Sequence, residues 1–483
     1  MVNTLGRRAF LLCGGGAAAF GAAVPIPARA TDGKEMRVLR EPARDIPVAG
    51  SADVVVCGGG PAGVAAAVAA ARTGANTRLI EVNGCLGGIW TAGLLSWILD
   101  AENKQGILHE IVSELRCMGA LPEYEKLAYD PEAMKLLLER MCVEAGVSVH
   151  LHTRVVGAVR NEHDALALAV TESKSGRRAF AGKVFVDATG DGDLAALAAC
   201  GFDVGREGDG ETQPLSMIAL LTGLRRDEVG AFVCNLPESE SHGKAKKRLF
   251  DEMVQAGREP SYAHPTLFCL REGLYALMAN HEYGIPATDA DAITRATLRA
   301  RAEVHGLVES LRGLGGAWRD VRVVVTAEHI GVREGRRIHG RYTVTTRDLE
   351  AGARHNDAVC RVSFGVDVHS TNPAKTKAIM KQKVHSKPYD IPFRALIARD
   401  VDGLLLAGRC ISGDFLAHSS YRVTGNAVPM GEAAGAAAAL AAAQGRQPHE
   451  LAWPAVRKAL FDGFEPPANA GPGNPARKHP LRR

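Results

Sequence analysis

At 483 residues the chain is far above the size at which burying a core becomes difficult, so one large domain or two interleaved ones are expected and no disulfide framework is needed. Its 53 glycines and 5% aromatics suit an α/β protein with close helix–sheet contacts and Gly-rich loops better than a β-sandwich. The formal charge is only +4, and residues 1–30 hold three Arg and no acid, so the remainder carries +1 and nucleic acid is excluded as an expected partner.

Those first thirty residues stand apart in composition. Arg7-Arg8 precede a small-residue and apolar stretch from Ala9 to Val24, then Pro25, Pro27 and Ala28-Arg29-Ala30. This reads as a signal peptide cleaved after Ala30, and Gly6 to Leu12 resembles the twin-arginine export signal. A membrane anchor needs about 20 strongly apolar residues; this stretch is Gly/Ala-rich and ends in Pro and Arg, so no stable span is expected after cleavage. Too little apolar sequence precedes Cys13 for lipidation. The expected location is the periplasm or the medium. Of ten cysteines, nine follow the leader, irregularly spaced and without Cys-x-x-Cys, which argues against a disulfide scaffold and a zinc site. No metal site is expected, although an oxidising compartment permits one or two incidental bridges.

Residues 31–50 are polar, lack periodicity and read as a linker. Asp53 to Cys57 has strand length, Gly58 to Gly63 is a turn, Val64 to Arg72 is an Ala-rich helix, and Thr77 to Glu81 is a second strand. This is one βαβ unit. Pro131 to Ala145 has helical spacing, Val147 to Val159 with Leu166 to Thr171 reads as a β-meander, and Lys183 to Ala188 is a buried strand. From about 205 to 395 the pattern changes to charged helices (Ala245 to Ala256, Asp289 to Arg312) and longer strands (Val321 to Glu328, Arg341 to Asp348, Cys360 to Asp367). This predicts an inserted α+β substrate domain. At Gly403 the first composition returns, with a buried strand at Leu404 to Gly408 and a helix from Met430 to Ala443. The expected architecture is therefore α/β: a Rossmann-like three-layer cofactor domain from 51–204 and 396–445, combining a parallel sheet with the meander, a cap from 205–395, and a basic Pro-rich tail from 446.

The strongest local signal is Gly58-x-Gly60-x-x-Gly63 between strand and helix, with Glu81 closing the next strand. The glycines let backbone approach a pyrophosphate, with Pro61 beside them, the helix N-terminus at Ala62 to Val64 favours its negative charge, and Glu81 can accept from ribose hydroxyls. That pattern alone does not separate FAD from NAD. The run Leu86 to Gly93, the Asp187 to Asp193 segment, Gly331 to Arg337, and Leu406 to Ser412 with Gly431 to Gly435 together resemble the FAD-dependent oxidoreductase family with a glutathione-reductase-type FAD domain. The resemblance covers most of 51–443 and is weakest over 220–315. It implies FAD as cofactor, with Gly87, Gly88, Thr91, Ala188, Thr189, Gly190, Gly408, Arg409, Asn426 and Ala427 as further contacts. Asp193 is expected to cap the helix after it. Gly431 and Gly435 permit close packing on the sheet, and Pro429 suits a first helical turn.

Exchange of a hydride with flavin N5 asks of the protein positioning and one proton donor or acceptor. His418, Tyr421 and Arg422, between the ribityl loop and the last helix, are the candidate catalytic residues. A surface histidine is the competing reading of His418. Strand alternation would place Arg333, Arg337, His339 and Arg341 on one face, fit for an anionic substrate or for a salt-bridged surface; Trp90 and Trp97 either wall the site or pack in the core. The partners expected are a small organic substrate and an electron donor or acceptor. The rivals are an NAD-dependent dehydrogenase, against which the later motifs weigh, and a flavin-binding protein without turnover. No paired redox cysteines follow the first βαβ unit, which disfavours a disulfide reductase.

Overall fold

Valine-rich and alanine-rich segments fully removed from water build the centre of the molecule. In the computed structural model, which describes residues 39–122 and 127–462, Val54, Val55 and Val56 are wholly buried. The expected leader, residues 31–38 of the linker and the tail beyond 462 lie outside the described residues. The described residues from 46 onward form one compact unit, and the described residues 39–45 before it have no regular secondary structure.

Among the described residues the main sheet has seven strands. Ser148–His150, Thr77–Ile80, Val48–Cys57 and Gly176–Asp187 lie side by side and parallel, and Leu404–Leu406 adds to Gly176–Asp187, also in parallel. Beyond Gly176–Asp187 the sheet continues as an antiparallel meander through Leu166–Ser173 to Arg154–Arg160. Buried apolar runs such as Val54 to Cys57 suit strands covered on both faces. The helices Pro61–Arg72 and Thr424–Gln444 pack on each other and on the central strands. This is a Rossmann-like α/β fold whose sheet is closed by a strand some 220 residues downstream in sequence (Asp187 pairs with Leu406).

A second core surrounds an antiparallel sheet in the order Arg322–Thr326, Ile218–Thr222, Leu274–Met278, Thr266–Arg271, packed with the helices His242–Gln255 and Ala290–Gly313. It takes in residues up to Ile330, whereas Ile338, Val344, Leu349, Val362, Tyr389 and Phe393 belong to the first core. The boundary expected at 395 is therefore displaced: the chain returns to the first core some sixty residues sooner.

Several local expectations are corrected. The first strand starts at Val48, inside the expected linker. Val147 to Val159 is broken at His152, whose φ is +51°, so Ser148–His150 joins the parallel sheet and only Arg154–Arg160 enters the meander. Arg341 to Asp348 is no strand: Thr345 and Asp348 form a capping box for the helix Thr346–Ala351. The strand expected at Cys360 to Asp367 covers Ala358–Val362 and then gives way to a loop. Helix Thr424–Gln444 begins six residues before Met430, leaving Pro429 inside it. No disulfide joins any of the nine described cysteines. No helix among the described residues is long and apolar enough to cross a membrane.

Candidate active site

Strand Val48–Cys57 runs out at Gly58, whose N–H donates to the Ile80 carbonyl at 2.7 Å. Gly58 has φ +98°, and a β-carbon there would lie 2.4 Å from the Ala188 carbonyl oxygen; one on Gly63 would lie 1.7 Å from the Gly58 oxygen. The turn is thus packed tightly on its protein side. On the other side, a β-carbon at Gly60 meets nothing within 4 Å. Gly60 is also the N-cap of helix Pro61–Arg72 and supplies no side-chain cap, so the positive helix end opens onto free space. Glu81 lies beside it, accepting from Gly59 N (2.5 Å) and from Asn83 N and Nδ2 (2.7 Å each). Burial pushes its pKa up and these hydrogen bonds oppose the rise.

That space is one end of a cavity of about 1620 Å³. Gly58, Gly60, Pro61, Ala62, Glu81, Gly88, Ala188, Thr189, Gly190, Gly408, Arg409 and Ala427 line it. Gly63, Gly87, Thr91 and Asn426 do not: Gly63 supports the turn from behind, Gly87 caps a short 3-10 turn, and Thr91 donates to the Leu86 carbonyl. Asn426 is fully buried, and neither atom of its amide has a partner. Asp193 is not the expected cap. Gly192 holds that position, Asp193 pairs with Arg336 at 2.9 Å, and the buried Asp187 carboxylate accepts from Ala195 N and Thr189 instead. Burial raises Asp187 to about 6.

A bare helix start, an open glycine and a ribose-type carboxylate at one end of a large cavity suit an adenosine diphosphate. The model of the FAD dependent oxidoreductase family matches residues 53–460. The chain belongs to this family. FAD is its cofactor, and the protein is an FAD-dependent oxidoreductase. No curated protein matches it. Among solved structures it is similar to a geranylgeranyl bacteriochlorophyll reductase-like protein from Thermoplasma acidophilum (13% identity over 86% of this chain and 82% of that one, TM-score 0.41). It is also similar to a flavin-dependent brominase (13%, 85% and 83%, 0.43) and to p-nitrophenol 4-monooxygenase from Pseudomonas putida (11%, 87% and 90%, 0.41).

Of the three candidate catalytic residues of this oxidoreductase, only Arg422 reaches the cavity. His418 and Tyr421 are buried on the short helix Phe415–Tyr421 and do not line it. Tyr421 donates to the Ile411 carbonyl at 3.0 Å, and burial followed by Arg337, Arg422 and Arg409 pushes His418 well below the usual imidazole range. His418 is not a surface histidine either. Helical geometry turns Arg422, one residue beyond that helix, toward Asp367 and Gln213.

The basic stretch does not share one face, because only Arg337–Ile338 forms a strand. Arg333 lines the cavity, donating to the Pro214 carbonyl (2.7 Å) and Ser216 Oγ (2.8 Å). Arg337 is buried against Glu334 at 2.8 Å, His339 meets Asp203, and Arg341 meets Asp402. Trp97 walls the cavity edge-on to Phe268, whereas Trp90 packs in the first core. Sequence reasoning missed Asp367, His369 and Tyr262, which line the cavity beside Arg333 and Arg422. They sit in loops between elements, and only the fold brings them together. Asp367 and His369 are one strand repeat apart in the sequence, a spacing that carried no signal by itself. Among the described residues no group of three or more His, Cys, Asp or Glu is arranged to hold a metal ion.

Proposed function

We propose that the enzyme exchanges a hydride between FAD and a small organic anion held by Arg333 and Arg422. The observation that carries this reading is a local excess of positive charge. Arg337 is paired with Glu334, Arg336 with Asp193 and Arg409 with Asp191, whereas Arg333 and Arg422 share Asp367, 3.4 Å from Arg422, and Glu334, which also acts on Arg422, is already paired with Arg337. Burial, with Arg422 close by, lowers Arg333 to about 10, so both guanidinium groups stay charged at neutral pH. Arg422 Nε is buried without a partner. An incoming carboxylate or similar oxyanion would satisfy it and balance the charge.

FAD, when bound, supplies a two-electron centre that accepts or gives a hydride. Gly60, the start of helix Pro61–Arg72 and Glu81 would hold its adenosine diphosphate half. The rest is done by the chain around the cavity. Phe268, Met278, Ile218 and Trp97 line it with apolar surface that excludes water. Thr424 and Ala427 line it at the start of helix Thr424–Gln444, whose N-cap Val423 offers no side-chain cap and whose Thr424 Oγ1 is buried without a partner. That helix end favours negative charge developing nearby.

The test is an anaerobic titration of the FAD-loaded chain with small carboxylates, sulfonates and their neutral analogues, read by flavin absorbance in both oxidation states. Anions are expected to react or to shift the flavin band. Arg333→Gln and Arg422→Gln should raise KM by about 10- to 100-fold, the worth of a charge-assisted hydrogen bond. Neutral compounds reacting alone, with KM unchanged in both variants, would refute the anion site. We also propose that the chain is exported, folded around FAD, by the twin-arginine route, which the Arg7-Arg8 leader supports. N-terminal sequencing of the mature protein should start after Ala30; retained Arg7-Arg8 would count against it.

A further inference from the structure

One row of side chains beside the anion site takes no part in holding an anion. His369 lines the cavity, and its imidazole stands between two partners: Nε2 is 3.3 Å from the Asp367 carboxylate, and Nδ1 is 3.0 Å from His281 Nε2. His281 does not line the cavity. Its Nδ1 lies 3.1 Å from the Tyr283 hydroxyl, which in turn lies 3.2 Å from the Ser261 carbonyl oxygen. Both imidazoles are buried, but Tyr283 is half-buried, so the row leads from the cavity toward the outside. Its members are held in place independently. His369 N donates to Gln213 Oε1, His281 N donates to Ser261 Oγ, and the Tyr262 ring packs 4.1 Å from His281 and 5.5 Å from His369.

We propose that Asp367, His369, His281 and Tyr283 are a proton relay connecting the reaction cavity with solvent. Hydride exchange with FAD leaves a proton to be accounted for. When a C–H bond of the substrate breaks and its electron pair goes to the flavin, the proton on the neighbouring oxygen or nitrogen must leave, and in the reverse reaction one must arrive. In the inward sense, the Tyr283 O–H turns from the Ser261 carbonyl to His281 Nδ1, and Tyr283 takes a proton from water as it gives its own to that nitrogen. His281 passes its Nε2 proton to His369 Nδ1, and His369 passes its Nε2 proton to Asp367 and so to the cavity. In the outward sense, the hops run back with each ring in its other tautomer. One proton enters for each that leaves, and FAD is the only redox partner required.

Such hops need rings that are neutral at rest, each with one nitrogen accepting and the other donating. Burial, and then Arg333, lower His369 to about 3, and the same two causes push His281 far below the usual imidazole range. The other charged and titratable groups facing the pair are Arg422, His264 and Tyr262. Burial alone would raise Asp367, but His369, Arg422 and Arg333 hold it well below the usual carboxylate range, so it rests as the acceptor. The proposal depends on the anion reading in one respect, that substrate reacts in the arm of the cavity at Arg333 and Arg422.

The experiment uses the full chain loaded with FAD, in sulfate, with isotope-labelled imidazole nitrogens. Solvent exchange of the His369 N–H is followed by NMR in the wild type, in Tyr283→Phe and in His281→Gln. Exchange should slow about tenfold or more in both variants, as expected when a positioned proton carrier is removed. The His369 nitrogens should also shift in Tyr283→Phe, although Tyr283 does not bond to His369. A coupling should pass between His369 Nδ1 and His281 Nε2 through their shared proton in the wild type and in Tyr283→Phe, and be absent in His281→Gln. Exchange equal in all three proteins, or no such coupling, overturns the relay. Sulfate binding, read from the flavin band, keeps the two proposals apart: no response in the wild type refutes the anion site, while the exchange rates still decide the relay.

Discussion

A β-carbon on Gly58 would sit 2.4 Å from the Ala188 carbonyl oxygen, and one on Gly63 would sit 1.7 Å from the Gly58 oxygen, so these two glycines are demanded by the protein itself. Gly60 is different. Its φ of −69° suits any residue and nothing lies within 4 Å of the β-carbon position, so a side chain there meets only what the cavity holds. Gly60→Val is therefore expected to fold with little loss of stability, within about 0.5 kcal/mol as for a substitution with no packing consequence. It should nonetheless purify with little FAD. Absorbance near the flavin band, set against a thermal melt, checks both halves; a stable variant that retains full FAD would show that cofactor does not approach this backbone. At this scale the glycine turn was legible, because its chemistry needs only a fixed local spacing. His418 was misplaced because sequence position says nothing about which side of a short helix meets the cavity. Asp193 was misread for a related reason: the capping oxygen comes from Asp187, six residues upstream, folded back over the turn.

Between elements, the closest packing is of helix on helix. Gly431 and Gly435 lie against Ala62 and Ala66 of helix Pro61–Arg72, where added β-carbons would come within 1.9 and 2.0 Å of carbonyl oxygens. The spacing was legible as a close-approach face, but the partner is that helix and not the sheet. Next to Gly431 on the same helix, Glu432 carries a buried carboxyl that accepts from Ile107 N at the start of helix Ile107–Cys117. Burial raises it from 4.5 to about 7, outweighing Ile107 and Arg72. The unfolded chain releases this proton near pH 4.5 and the folded protein only near 7. Between those values the folded state binds more protons, so its stability falls as pH rises, by on the order of 3 kcal/mol across the window. Glu432→Gln has no proton to lose and should narrow the difference in urea midpoint between pH 5 and pH 8. An unchanged difference would remove Glu432 as its source. Element boundaries were least legible where caps compete with strand propensity. Val344 and Thr345 read as strand until the Thr345–Asp348 capping box is recognised.

At the scale of the molecule, the cavity is lined from both cores, by Ala62, Ala188 and Ala427 of the first and by Ile218, Phe268 and Ile330 of the second. A ligand that fills it binds only the folded chain. FAD at about a hundred times its Kd should therefore add about 2.7 kcal/mol, seen as a rise of the unfolding midpoint with FAD concentration. A midpoint indifferent to FAD would mean that the cofactor does not stabilise this fold. The sequence by itself determined the α/β class and the glycine turn of the βαβ unit, because both rest on periodicity and short spacings along the chain, and the order of its motifs resembled the family, which implied FAD. Only the tertiary structure decided where the first core resumes, which of the basic residues stay unbalanced, and that Arg333, Asp367, His369 and Arg422 meet in one place. Those facts depend on pairing between segments far apart in the chain and on which charges find partners once water is excluded, and neither is written in local pattern.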